Sequence, residues 1–263
     1  MRIARIAAVL PVLVLAAACS SGSSGSHTAR PDGTASPVAA VNGRAPLSLA
    51  QLTRALVTDS DVPGWVVQMT ATDDGTQTTA PEEFDPDDLA AQDDSSGRSL
   101  LVADKADCQP LADVTSSQPR IHRMASVGAT FARETATAKA APDELDQMLI
   151  SSHAPGDAQK VMASLRSALA ACTSFKGRSE GGGLTPFTIA KGPAVRVGDD
   201  ALSFVMDDTA DKKSGAALVT VVHTGDTVTS YISMRAKGGA GTVPLAVARK
   251  QDQKLRAALA ARK

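Results

Sequence analysis

The chain has 263 residues and a formal net charge of −1, from 27 Lys and Arg against 28 Asp and Glu, a balance that excludes a general attraction for nucleic acid. Hydrophobic residues make up 43% and charged residues 21%, which excludes a disordered chain. Aromatic residues are only 3%, with one Trp and one Tyr, so a core has to come from Ala, Val, Leu and Met.

The first residues suggest where the protein works. Arg2 and Arg5 lead into an apolar run of about 13 residues, too short for a comfortable membrane span of roughly 20. Leu15-Ala16-Ala17-Ala18-Cys19 then brings small residues up to a cysteine. This is the order of a secretory signal peptide over residues 1–18. With its cysteine it resembles the lipobox of bacterial lipoproteins, in which the thiol receives diacylglycerol and cleavage leaves it as the acylated N-terminus. Lipidation of Cys19, with palmitate among the acyl groups, is therefore expected. It would hold the chain on the extracytoplasmic face of the cell membrane. The usual Leu three positions before the cysteine is Ala16 here, and Ala16-x-Ala18 also fits ordinary secretory cleavage. A secreted, unlipidated chain and an uncleaved membrane helix are thus the alternatives.

Residues 19–46 are rich in Ser, Gly, Ala and Pro without apolar periodicity, a composition that does not repay its ordering entropy. They read as a flexible tether with a reach of roughly 30 Å. The remaining residues, 47–263, fit one domain with a sizeable core. Once Cys19 is assigned to the lipid, Cys108 and Cys172 remain, an even number in an exported and oxidising setting. A bridge between them would close a loop of about 64 residues and contribute roughly 4 kcal/mol on the chain-entropy model. Two free thiols are the other reading.

In chain order, Leu49, Leu52, Leu56 and Val57 recur at helical spacing with Ser48 as N-cap. The turn Asp59-Ser60-Asp61-Val62-Pro63-Gly64 leads into a strand opening at Trp65, the predicted core anchor. Residues 72–98 form an acidic loop, read as solvated and mobile; the ligand order of an EF-hand is missing, so no metal is assigned. Residues 104–115 predict a short helix carrying Cys108, and residues 125–132 and 145–151 predict strands. Residues 154–172 are the clearest helix, with Ala158, Val161, Met162, Leu165, Leu169 and Cys172 on one face, Pro155 at its start and Gly177 after its end. Strands follow over 185–190, 201–206, 216–223 and 227–234, the last two joined by a tight turn at Gly225-Asp226. After the loop at Gly238-Gly239-Ala240-Gly241, residues 244–261 predict a helix with Leu245, Ala248, Leu255 and Leu259 inward. The fold class is α+β, an antiparallel sheet with packed helices.

No catalytic motif emerges: there is no G-x-S-x-G, H-E-x-x-H, P-loop or dinucleotide-binding glycine pattern. His27, His122, His153 and His223 have no metal-ligand spacing, and Asp199-Asp200 and Asp207-Asp208 read as turn residues at strand ends. The basic residues of the last helix, among them Arg249, Lys250, Lys254 and Arg256, read as a solvated face, with contact to anionic headgroups or wall polymers as the sharper reading. No enzyme activity and no cofactor are expected.

Asp61-Val62-Pro63-Gly64-Trp65, then Ala106-Asp107-Cys108-Gln109-Pro110-Leu111, then Cys172, then Gly198-Asp199-Asp200-Ala201 form an order of landmarks. It resembles the PknH-like extracellular sensor-domain family, found in cell-surface lipoproteins and outside a transmembrane serine/threonine kinase. The resemblance implies an α+β domain with a cleft for a ligand of unknown identity. The kinase-linked form has two disulfides, so at most one, Cys108 to Cys172, carries over. The family's ligand-binding residues do not. Without a kinase segment in this sequence, sensing would pass through an envelope partner protein. The expected function is a non-enzymatic, ligand-binding or sensor-like domain. The alternative is a carrier of lipid or other apolar molecules across the cell wall space, which needs a large apolar interior.

Overall fold

The computed structural model describes residues 44–75, 101–114, 116, 119–134, 143–179, 183–211 and 215–262. Residues 1–43, with the signal peptide, Cys19 and most of the tether, lie outside the described residues, as do 76–98 of the acidic segment. No described helix is long and apolar enough to cross a membrane.

The strands are β1 (Trp65–Asp73), β2 (Leu101–Ala103), β3 (Ala125–Arg133), β4 (Glu144–Ser152), β5 (Ser174–Ser179), β6 (Leu184–Lys191), β7 (Asp200–Asp208), β8 (Ala216–Thr224) and β9 (Thr227–Arg235). Among the described residues they form one sheet in the order β1-β3-β4-β9-β8-β7-β6-β5-β2, antiparallel throughout. The α-helices are α1 (Leu49–Ala55), α2 (Gln109–Asp113), α3 (Asp157–Ala171) and α4 (Leu245–Ala260). This is the expected α+β class.

Each helical pair covers part of one face. On the first face α1 and α4 pack on the β3–β4–β9 region, around Leu52, Trp65, Phe131, Ile150, Tyr231 and Leu255. On the second face α2 and α3 pack on β7 and β8, around Leu111, Met162, Leu165, Phe204, Val219 and Val221. The register shows why. Ala129, Met148, Tyr231, Thr220 and Ser203 stand in one cross-strand row, and Gly128, Leu149, Ser230, Val221 and Leu202 stand in the row on the opposite face. The two coverings overlap on β8, where burial runs almost unbroken, as it does for strands covered on both faces. Edge strand β1 keeps mostly exposed residues.

Several boundaries differ from expectation. Thr72 and Asp73 belong to β1, so the acidic segment starts after this strand. The helix expected over 104–115 is a 3-10 turn, Ala106–Cys108, continued by α2. Helix α3 starts at Asp157 behind left-handed Gly156 (φ 89°), and Pro155 precedes it. Gly177 does not end that helix: it lies inside β5, where a Cβ would meet Leu101 Cδ1 at 2.7 Å and the Phe187 ring at 2.8 Å. The chain needs a bare backbone there because two neighbouring strands lay large side chains across it. Leu245 is exposed rather than inward, and Val247, Ala248, Gln251 and Leu255 form the buried stripe. Tertiary bonds fix that rotation: Gln251 accepts from Val57 N–H at 3.0 Å and donates to the Ala55 carbonyl at 2.8 Å.

Candidate functional site

The landmarks read from the sequence turn out to hold the fold. Asp61 accepts from Lys254 at 2.6 Å, and that bond, against burial, lowers its pKa to about 2. Val62 is buried, Gly64 takes a left-handed turn (φ 80°), and Trp65 enters the core. Cys108 is bonded to Cys172 with Cα atoms 5.5 Å apart. Buried Gln109 accepts from Ala103 N–H at 2.7 Å and donates to the Leu101 carbonyl at 3.0 Å, which holds β2 in place. At Gly198 (φ 76°) a Cβ would stand 2.4 Å from the His223 carbonyl oxygen. Asp199 accepts from Gly225 N–H and from Arg256, each at 2.8 Å, and these groups outweigh burial to lower its pKa.

Apart from exposed Arg249, the basic residues of α4 are correspondingly engaged, with Lys250 standing 3.8 Å from Asp61. Lys254 pairs with Asp61, Arg256 with Asp199 and Asp252, and Arg262 just beyond the helix with Asp226. A face committed to intramolecular pairs is a weak candidate for anionic headgroups. Among the described residues no group of His, Cys, Asp and Glu could hold a metal.

Among the described residues a roomy cleft of about 530 Å³ lies at one corner of the sheet, a volume in the range of small-molecule sites. It exists because β6 and β7 part company. β7 pairs with β6 only from Phe204 onward, while its first residues continue along β8. Gly192 and Pro193 still bond to Ser203; past them the chain swings away and returns at Asp200, so a gap opens between residues 194–195 and 201–202. The C-terminal half of α3 closes the third side through Arg166, Leu169 and Ala170. The floor is apolar, with Leu169, Ile189, Val195 and Leu202, and Arg166 and Lys191 bring positive charge. Arg166 forms an ion pair with Asp200. Cys172 also lines the cleft, so the disulfide secures its α3 wall. Sequence reasoning found Cys172 and Asp200 but not the cleft.

A second cluster is buried under α2. The Arg123 guanidinium donates to the carbonyls of Ser116 at 2.7 Å and Asp113 at 3.1 Å, and burial lowers its pKa to about 10. His153 lies 3.0 Å from both Ser151 Oγ and the His122 carbonyl oxygen. The adjoining cavity is only about 40 Å³, room for little more than water. His153 and Ser151 therefore resemble a catalytic pair without space for a substrate.

His153 and Asp146 make a testable pair of opposed titrations. Burial first, then the Arg123 charge, against the His122 carbonyl hydrogen bond and Asp157, lowers His153 from 6.5 to about 4. Its stabilising contribution is present above pH 6.5 and is lost as pH falls towards 4. Burial raises Asp146 from 3.8 to about 6, with Glu144 adding to it and Ser233 and Arg133 opposing; its Oδ1 has no hydrogen-bond partner. That contribution is present below pH 3.8 and is lost as pH rises through 6. Each amounts to about 3 kcal/mol, so between pH 4 and 6 they nearly cancel. Asp146→Asn should remove the opposing arm and make stability fall steeply on acidification across that window. Urea midpoints measured at each pH check it, and a variant with the wild-type pH profile would refute the cancellation.

No family model matches the sequence, and no curated protein matches it. Solved structures do. The extracellular domain of PknH from Mycobacterium tuberculosis aligns with a TM-score of 0.51 at 11% identity, over 82% of this chain and 100% of that one. The two share a fold. A protein of Mycobacterium smegmatis, described as uncharacterised and as an ortholog of Rv0999, aligns at a TM-score of 0.33 and 15% identity, over 81% of this chain and 93% of that one. The fold shared with the PknH extracellular domain agrees with the landmark order. At such identity the likeness concerns architecture and leaves the cleft's chemistry to be read from this chain.

Proposed function

We propose that the protein is an extracytoplasmic, lipid-anchored domain that binds a ligand in the corner cleft and performs no chemistry of its own. The observation that carries this reading is the cleft itself: about 530 Å³, apolar at its floor and cationic at its rim, in a fold shared with the extracellular domain of PknH. The disulfide suits an oxidising compartment. Signalling then passes to an envelope partner. The carrier alternative fits less well, because large side chains such as Phe131, Tyr231 and Phe204 fill the interior on both faces of the sheet.

The anchor and the ligand are tested separately. Cys19→Ser should move the protein from the membrane fraction to the medium and abolish labelling by radioactive palmitate. A variant that stays membrane-bound, beside a wild type that takes up no label, would refute lipidation. For the ligand, mass spectrometry of molecules extracted from the purified protein should find a small polar or amphiphilic compound in stoichiometric amount. A long-chain lipid there would favour the carrier instead.

A further inference from the structure

The wall of the cleft carries a detail that narrows its ligand. Residues 192–197 run without helix or strand between β6 and β7. They still alternate as a strand does: Ala194 and Arg196 point outward, Val195 packs against the first core and Val197 is buried in it. Gly192 N–H donates to the Ser203 carbonyl at 3.0 Å, and Ser203 Oγ donates to the Pro193 carbonyl. Beyond these two bonds, the backbone groups of Ala194, Val195 and Arg196 have no hydrogen-bond partner among the described residues. Opposite them, residues 201–203 of β7 have a ladder on the β8 side and otherwise only the bond from Gly192. Two extended segments, each anchored from behind, therefore face one another across a gap with little or no ladder between them. Proteins ordinarily pair, cover or blunt such edges.

We propose that this gap receives an extended peptide carrying an acidic side chain or a terminal carboxylate, added as a short strand beside β7. The inference rests on the reading of the cleft as a ligand site and names the ligand's class. Main-chain hydrogen bonds give affinity in strand addition, and side-chain pockets give selectivity. Gly192 and Pro193 already engage Ser203, so the open stretch of β7 at Ala201 and Leu202 accommodates about two residues, roughly 7 Å of strand. Leu169 and Leu202 offer an apolar pocket for a side chain on one face. Charge complementarity supplies the acid: Lys191 lines the cleft, is exposed and has no carboxylate partner among the described residues, and Arg166 adds a second cation already neutralised by Asp200.

The test uses the full chain with Cys19→Ser, exported and with its disulfide intact. Three acetylated, amidated pentapeptides are titrated by fluorescence anisotropy and two-dimensional amide NMR: one alternating valine and glutamate, one with lysine for glutamate, and the glutamate peptide N-methylated at alternate amides. The glutamate peptide should bind saturably and slow hydrogen exchange at Ala194, Arg196 and Ala201. The other two should bind at least tenfold more weakly. Lys191→Glu, an exposed change with a dispersed spectrum as folding control, should weaken the glutamate peptide at least tenfold. Equal binding of the N-methylated or lysine peptide would overturn the inference, as would binding that leaves those amides unchanged. So would absence of binding up to millimolar peptide. If a non-peptide molecule extracted with the protein perturbs the same amides while the glutamate peptide does not, the peptide inference falls and the ligand cleft stands. If neither perturbs them, both fall.

Discussion

Trp65→Ala is expected to cost about 3–5 kcal/mol of folding stability, the range for emptying a buried aromatic site. Trp65 is only 7% exposed. Its ring lies 5.6 Å from that of Phe131, which in turn meets Tyr231 edge-on at 6.3 Å, so three of the chain's few aromatics form one continuous stack. The Arg133 guanidinium covers the indole at 4.6 Å. Trp65 is also the first residue of β1 and pairs with Arg133 across the ladder, so its ring secures the entry of an edge strand that has one neighbour among the described residues. Trp65→Phe should retain much of the packing and lose distinctly less. Urea unfolding of the three proteins measures the series, and the native emission of the only tryptophan should be blue-shifted. Emission matching free tryptophan, with unchanged stability in the alanine variant, would place the ring in solvent.

Removing the disulfide should have a comparable effect through a different route. The bridge spans 64 residues, and a closed loop of that length is worth about 4 kcal/mol on the chain-entropy model, an upper figure when the unfolded chain keeps some structure. In the native state its influence is local. It joins the 3-10 turn ahead of α2 to the C-cap of α3, beside the three-residue pairing of β2 with β5. Asp104 N–H donates to the Lys176 carbonyl, and Lys176 N–H donates back to the Asp104 carboxylate. Without the bridge those few bonds, the Gln109 contacts and the Lys105 bond to the Ser174 carbonyl are left to hold β2 in place. The double variant Cys108→Ser, Cys172→Ser should lower the unfolding midpoint. It should also lose hydrogen-exchange protection in β2, α2 and β5 while β8 and β9 keep theirs. Uniform loss across the sheet would contradict this local role, and quantitative alkylation of both cysteines without reduction would contradict the bridge itself.

Loss of the bridge should reach the ligand site as well. Cys172 lines the cleft, and α3 supplies one of its walls. Any ligand of the corner cleft should therefore bind the double variant more weakly, even under conditions where the rest of the sheet is intact.

The strands β3, β4, β7, β8 and β9 were legible because their apolar and β-branched residues recur over eight or nine positions, a local signal strong enough to name the element. Helix α3 was legible from its stripe of Ala158, Met162 and Leu165, which is buried as the spacing required. The joining of Cys108 and Cys172, present in the structure, was expected from counting thiols in a chain read as exported. β2 and β5 were missed. One has three residues, and the other reads Ser-Phe-Lys-Gly-Arg-Ser, with no pattern of its own; both are strands because neighbours supply their hydrogen bonds. Gly177 looked like a helix terminator for the same reason, since the side chains that need its missing Cβ lie on two other strands. Leu245 was misplaced because a 3.6-residue period allows several faces, and Gln251 selected the buried one by bonding to the end of α1. The cleft belongs wholly to the tertiary structure. It depends on where β6 stops pairing with β7, and that point is set by Val195 and Val197 being drawn into the first core while Ile189 and Phe187 pack against the second. A chain pulled towards two cores on opposite faces of a sheet has to leave a gap between them, and no local run of residues encodes that divergence.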